Sequence, residues 1–239
     1  MSCYCLKHMQ AVFLMAGKGS RMAKHLSGPK QLMDVGGKPV IEHTLDNLPD
    51  SVTSLVFVVG GPHEEALRTH FSKGHHNGRP ITFVRQADPR GTADAFWQAH
   101  GTVSGPFLGL LSDEIIGKDT LHRLAAEEGH AILTRKVANP ENFGVVIMDE
   151  DGYVRDFVEK PKEFISDLVW AGGMRSDDSF LSTRVPESPR GEFEVPAVIL
   201  ELTKQGKRFN AVMTDEWHTV NDIHELNEAR ERLGAQGQR

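Results

Sequence analysis

The chain has 239 residues, 39% hydrophobic and 25% charged, with a formal net charge of −6. That is enough apolar chain for a real core. The acidic balance excludes general electrostatic binding to duplex nucleic acid, so any anion site must be local.

Cys3 and Cys5 are too close for a good disulfide and lack a second ligand pair for zinc. They read as free thiols on a flexible segment, residues 1–10, and point to a reducing, cytoplasmic compartment. The stretch Ala11 to Met15 is apolar on both faces and predicts a buried strand. With Ala16 it is far too short to span a membrane. It breaks into Gly17-Lys18-Gly19-Ser20-Arg21, and Pro29-Lys30 follows. Small residues after a strand let backbone N–H groups approach phosphate oxygens. A P-loop needs four residues between its glycines and a Gly-Lys-Ser/Thr ending, which is absent. A dinucleotide fingerprint needs a third small residue where Met22 stands. The glycine pair alone is a plain turn; Arg21 and Lys30 downstream shift the reading to an anion site.

Pro39 to Leu48 suits a helix with proline at its first position. Leu55 to Val59 is a second buried strand, and Gly60-Gly61-Pro62 turns it into a helix ending near Phe71. Lys73 to Pro80 reads as a polar loop. Ile81 to Val84 is a short strand that Gln86 closes. Gly91-Thr92 opens a helix, Thr92 to His100, with Thr92 a fair N-cap. An amide, a glycine and a hydroxyl can read the edge of a flat base, although a capped helix alone explains them. Phe107 to Leu111 is an apolar strand ending at Ser112-Asp113. A carboxylate at that end is a magnesium-ligand candidate or a simple turn residue. Glu114 is the alternative ligand, but successive side chains diverge. This alternation of strand and helix predicts a parallel, doubly wound α/β sheet.

The second half changes character. Phe143 to Met148 and Tyr153 to Val158 are strands joined by Asp149-Glu150-Asp151-Gly152, a hairpin signal. Pro161 stops the ladder after Glu159-Lys160, where Lys160 either enters a cleft or joins a solvated charge cluster. Phe193 to Lys204 predicts a helix and Phe209 to Met213 a strand. Asn221 to Leu233 is a closing helix with Ile223, Leu226, Ala229 and Leu233 on one face. We expect one domain over 11–233 and a disordered tail over 234–239. His70, His75 and His76 match no zinc signature, and neither a Ser-His-Asp triad nor Gly-x-Ser-x-Gly is present.

Taken in order, the segments containing Gly17 to Leu45, Gln86 to Ala95, Leu110 to Ile115, Asn142 to Pro161, Ala171 to Leu181, Arg190 to Ile199 and Val220 to Arg230 resemble the sugar-1-phosphate nucleotidyltransferases. The resemblance covers nearly the whole chain. It implies a Rossmann-like, mostly parallel doubly wound sheet of the nucleotide-diphospho-sugar transferase type. By motif match, Ala16, Gly17, Gly19, Ser20 and Arg21 would line the triphosphate, and Lys30 would touch the phosphates during transfer. Gln86, Gly91 and Thr92 would read the base. Gly144, Glu159 and Lys160 would hold the sugar phosphate. Asp113 would hold Mg²⁺.

Three departures matter. The second metal-binding Asp that many such enzymes carry after a tryptophan is missing here, where Trp217 precedes His218 and Thr219. Val220-Asn221-Asp222 instead resembles the N-acetylglucosamine-1-phosphate uridylyltransferases, which makes Asn221 the second ligand and Asp222 its substitute. Trp170 stands where the family often places a sugar-binding Asn. Hexapeptide repeats do not follow Leu233.

The implied reaction joins an NTP, with UTP or dTTP favoured, to a sugar 1-phosphate, giving an NDP-sugar and pyrophosphate. The alternatives are a non-sugar acceptor (phosphocholine, an alditol or a cyclitol phosphate) and a catalytically silent nucleotide-binding regulator. A dinucleotide oxidoreductase is disfavoured by the missing third glycine. No nucleic acid or membrane partner is expected, and a homo-oligomer is left open.

Overall fold

The computed structural model describes residues 8–17 and 28–236. Lys18, Gly19, Ser20 and Arg21 lie outside the described residues, as do Cys3 and Cys5.

Strand β1 (Met9–Leu14) is the central strand of the parallel half. Its side chains alternate between two core layers, as pleating requires. Ala11 and Phe13 enter one layer with Ile41, Leu45 and Phe57. Val12 and Leu14 enter the other with Phe96, Val195 and Ile199. A small ribbon, β2 (Asp34–Val35) and β3 (Lys38–Pro39), leads into α1 (Val40–Asp46). Pro39 caps this helix from outside rather than opening it. Then come β4 (Val52–Val59) and α2 (Glu64–His70).

The expected loop Lys73 to Pro80 is in part a hairpin. β5 (His75–His76) pairs antiparallel with β6 (Arg79–Arg85). Between them Asn77 and Gly78 take φ of 47° and 77°, the two left-handed residues that a tight type I′ turn demands. Helix α3 (Thr92–Gln98) is capped by Gly91, not by Thr92. The Thr92 hydroxyl oxygen instead accepts from Val195 N at 3.2 Å. Next are β7 (Phe107–Leu111), β8 (Glu114–Ile116), α4 (Lys118–Ala126) and β9 (His130–Lys136).

The second half adds β10 (Gly144–Met148), β11 (Val154–Glu159), β12 (Leu168–Ser176), α5 (Asp178–Ser182) and α6 (Val195–Lys204). It closes with β13 (Phe209–Met213), β14 (Trp217–Thr219) and α7 (Ile223–Gln236). β1 starts before Ala11 and α7 runs past Leu233, so regular structure reaches into both segments expected to be loose.

One ten-stranded sheet holds strands from both halves, in the order β11-β10-β12-β7-β1-β4-β6-β5, with β9 paired to β12 and β13 paired to β9. The block β7-β1-β4-β6 is parallel throughout. β12 runs antiparallel to both β7 and β9. The sheet is thus the expected mostly parallel α/β type, with an antiparallel extension. A third, smaller core of Val35, Val40, Ile115, Val220, Leu226 and Ala229 docks α7 beside the β2–β3 ribbon.

Candidate functional site

In an open α/β sheet the crevice lies at the carboxyl ends of the strands. Here β1 and β7 end side by side, Leu14 paired with Leu111. The Ser112 hydroxyl donates to Leu14 O and accepts from Gln31 Nε2 at 3.1 Å. This buried relay pins the Lys30 turn across both strand ends. The cleft beside it has a volume of about 460 Å³. Its walls include Ala16, Gly17, Lys30, Gln86, Gly91, Thr92, Asp113 and Asn221. These are all the described nucleotide candidates and the first-choice metal ligands; the alternatives Glu114 and Asp222 do not line it.

Lys30 Nζ contacts Asp113 Oδ2 and lies 3.4 Å from Asn221 Oδ1. Short antiparallel pairing makes that meeting happen. β14 pairs with β8, Thr219 opposite Glu114, and Val220 N donates to Asp113 O at 2.9 Å. The next side chain, Asn221, is thereby set beside Asp113. Asp222 is occupied elsewhere. Its Oδ1 accepts from His224 N and Glu225 N, both at 2.9 Å, at the start of α7. Asn221, rather than Asp222, therefore faces Lys30. Two hard oxygen donors that already share a cation suit Mg²⁺ and not a soft metal. Among the described residues no cluster of three His, Cys, Asp or Glu offers a rival metal site.

Glu114 faces away from the cleft. It is 5% exposed, and a Cβ at Gly172 would meet its Cγ at 2.7 Å. Burial pushes its carboxyl well above the ordinary carboxylate value, and the Asp113 charge adds to the rise. Its Oε2 has no hydrogen-bond partner among the described residues.

On the opposite wall Gln86 follows β6, with its backbone N donating to Val59 O at 2.8 Å. Gly91 is held at φ +114°, and a Cβ there would come within 2.3 Å of Phe193 O. Phe193 N donates to Arg90 O and Ala93 N to Phe193 O, which locks residues 90–93 onto the 190s loop.

Gly144 and Glu159 are paired residues of the β10–β11 hairpin. Lys160 adopts φ 46°, a left-handed conformation uncommon outside glycine, and donates its N–H to Phe143 O. This trio is together but does not line the cleft described above. Arg190 connects the two regions: its Nη2 lies 3.3 Å from Glu159 Oε1 and 2.8 Å from Glu194 Oε1, while Glu192 lines the cleft. Trp170 turns its indole N–H to Gly173 O at 2.9 Å, within its own strand. Gln31, Arg190 and Glu192 received no role from the sequence, although each lies inside or beside a motif already singled out.

A crevice at the carboxyl ends of parallel strands, lined by a lysine, a carboxylate, an amide and a buried glutamine, is the ligand site of an open α/β sheet. A family model described as "Nucleotidyl transferase" matches residues 10–236, and the chain belongs to that family. It is 30% identical over 235 residues to AglF, a UTP–glucose-1-phosphate uridylyltransferase of Haloferax volcanii, covering 94% of this chain and 96% of AglF. It is also 30% identical over 230 residues to the bifunctional protein GlmU of Methanococcus aeolicus. That match covers 94% of this chain and 54% of GlmU, so the chain spans about half the length of such relatives. A crystal structure of a candidate glucose-1-phosphate thymidylyltransferase from Bacillus anthracis, in complex with a sucrose, shares the fold. Its TM-score is 0.83 at 24% identity, with 95% of each chain covered.

Proposed function

We propose that this protein is a Mg²⁺-dependent nucleotidyltransferase that joins an NTP, UTP or dTTP, to a sugar 1-phosphate and releases pyrophosphate. The observation that carries the reading is the meeting of Lys30, Asp113 and Asn221 at the strand ends, across the cleft from Gln86. The uridylyltransferase among the relatives supports the acceptor class.

An oxygen of the acceptor phosphate attacks the α-phosphorus in line. The bond from that phosphorus to the bridging oxygen breaks, and pyrophosphate leaves with the electron pair. No protein nucleophile is needed, so the chain's work is positioning and charge neutralisation. Asp113 and Asn221 would hold Mg²⁺, which supplies Lewis-acid neutralisation of phosphate charge. Lys30 leaves Asp113 for the phosphates and stabilises charge growing on them. Arg21, Gly19 and Ser20, outside the described residues, join Ala16 and Gly17 along the triphosphate. Gly91 and Thr92 flank the base, and Gly144, Glu159 and Lys160 take the acceptor.

A second reading, a non-sugar phosphate acceptor, is favoured by one observation. Trp170 replaces the family's sugar-binding amide, and its only side-chain donor is already bonded to Gly173 O.

Asp113→Asn tests the proposal. Pyrophosphate release should fall by roughly 10²–10³-fold, the loss seen when one charge-stabilising group is removed, with the melting temperature little changed. Full Mg²⁺-dependent turnover in this variant would overturn the assignment.

A further inference from the structure

Asp94 is the third residue of α3, 5% exposed, and does not line the cleft. Its Oδ2 accepts from Gln86 Nε2 at 2.6 Å. Gly91 O accepts from the same nitrogen at 3.3 Å. Arg90 Nη2 stands 3.6 Å from the other carboxylate oxygen, and the Arg90 guanidinium lies 5.0 Å from the centre of the Phe193 ring. The carboxylate is therefore braced from the same loop that locks Gly91.

The chemistry of these partners fixes an orientation. A carboxylate and a carbonyl both only accept hydrogen bonds. The Gln86 amide can satisfy them in one way, with its NH₂ toward Asp94 and its oxygen away. Gln86 Oε1 has no partner among the described residues, and Gln86, itself 2% exposed, forms part of the cleft wall. A glutamine free to rotate by 180° would offer either a donor or an acceptor to a base. Here the choice has been made in advance.

We propose that Asp94 is a positioning residue that sets base preference by holding Gln86 as an acceptor toward the nucleotide. This rests on the nucleotidyl-transfer reading for the identity of the ligand and deepens it. Uracil and thymine meet an acceptor with the N3–H of their pairing edge. Cytosine has a lone pair at the same ring position, which would face the Gln86 oxygen unbonded. Leaving a buried polar atom without its partner costs more than making the bond gains, so the discrimination is against the wrong base.

The test is equilibrium binding of UTP and CTP to the full chain with Mg²⁺, by titration calorimetry, for the wild type, Asp94→Asn and Asp94→Glu. The wild type should bind UTP at least about tenfold more tightly than CTP. In Asp94→Asn the new amide can donate to Gln86 Oε1, which lets Gln86 turn its NH₂ to the base. The UTP:CTP ratio should then fall about tenfold, toward or past unity, while Asp94→Glu keeps the wild-type sign. Equal weakening of both nucleotides at an unchanged ratio would mean a structural role only and would overturn the proposal.

A probe of the wild type avoids any folding defect. 3-Methyl-UTP lacks the N3–H donor and should bind at least about tenfold more weakly than UTP; equal binding of the two overturns the proposal. Binding needs no acceptor. Intact UTP preference without turnover therefore counts against nucleotidyl transfer and not against Asp94.

Discussion

Lys30 places an ammonium on the two oxygens proposed to hold the metal. Its side chain and that of Asp113 are only 21% and 15% exposed. The cleft thus carries its own cation, and in the proposed reaction the phosphates of a nucleotide would offer Lys30 a new partner. The sequence showed that Lys30 and Asp113 both belong near strand ends. It could not show that they touch, because Asn221 and β14 make that geometry and arrive from far along the chain. That the side chains of Asp113 and Glu114 diverge was legible, but which of them faces the cleft was not, because Asp113 sits in the turn between β7 and β8.

Another single residue ties stability to pH. His130 is 6% exposed, its Nδ1 lies 2.9 Å from Ser176 Oγ, and its ring stacks on Phe209. Burial lowers its pKa from the ordinary 6.5; Asp177 opposes the shift, and Lys207 and Arg175 add to it. The unfolded chain takes up the proton near 6.5, and the folded chain only at lower pH. Stability from this site is therefore complete above about 6.5 and is lost as pH falls toward the lowered folded value. His130→Gln should unfold more easily overall, from lost packing, yet lose less stability between pH 8 and pH 5 than the wild type does. Chemical denaturation at the two pH values measures this, and equal losses in both proteins would contradict it.

At the scale of elements, the turn before α3 is tightly constrained within the wall proposed to take the nucleotide. Gly91 combines a left-handed φ with a backbone approach that leaves no room for a methyl group. Gly91→Ala should cost about 1–3 kcal/mol from backbone strain alone. A melting temperature several degrees lower, with weakened nucleotide binding, is the expected outcome; an unchanged melting curve would show that the turn is not strained.

The sequence marked Gly91 and Thr92 as a helix start but gave the cap to Thr92. Threonine and glycine are about equal as N-caps, so packing decided: Phe193 occupies the space beside Gly91 and Val195 N binds the Thr92 hydroxyl. The β5–β6 hairpin was hidden differently. Asn77-Gly78 is a strong turn signal, but β5 is only two histidines long and looks polar throughout. By contrast β7 and β13 have the bounds their apolar runs imply.

At the scale of the whole molecule, the parallel half was legible because each buried strand is a continuous apolar run bounded by turn residues. The placement of β12 between β7 and β10 was not. It depends on pairing between segments remote in sequence, and no local pattern encodes it. That placement carries the proposed acceptor trio on the antiparallel extension, while the residues proposed to bind the nucleotide lie at the ends of the parallel block. The Arg190 loop joins them through Glu159 and Glu192. Among the described residues no helix is long and apolar enough to cross a membrane.

The most direct measurement is pyrophosphate release with Mg²⁺, across the common NTPs and dNTPs crossed with a panel of sugar 1-phosphates, alditol and cyclitol phosphates and phosphocholine. Release with UTP or dTTP and one strongly preferred sugar 1-phosphate is the expected result. Silence across the panel, with nucleotides still raising the melting temperature, would contradict it and leave a nucleotide-binding protein without the transfer chemistry.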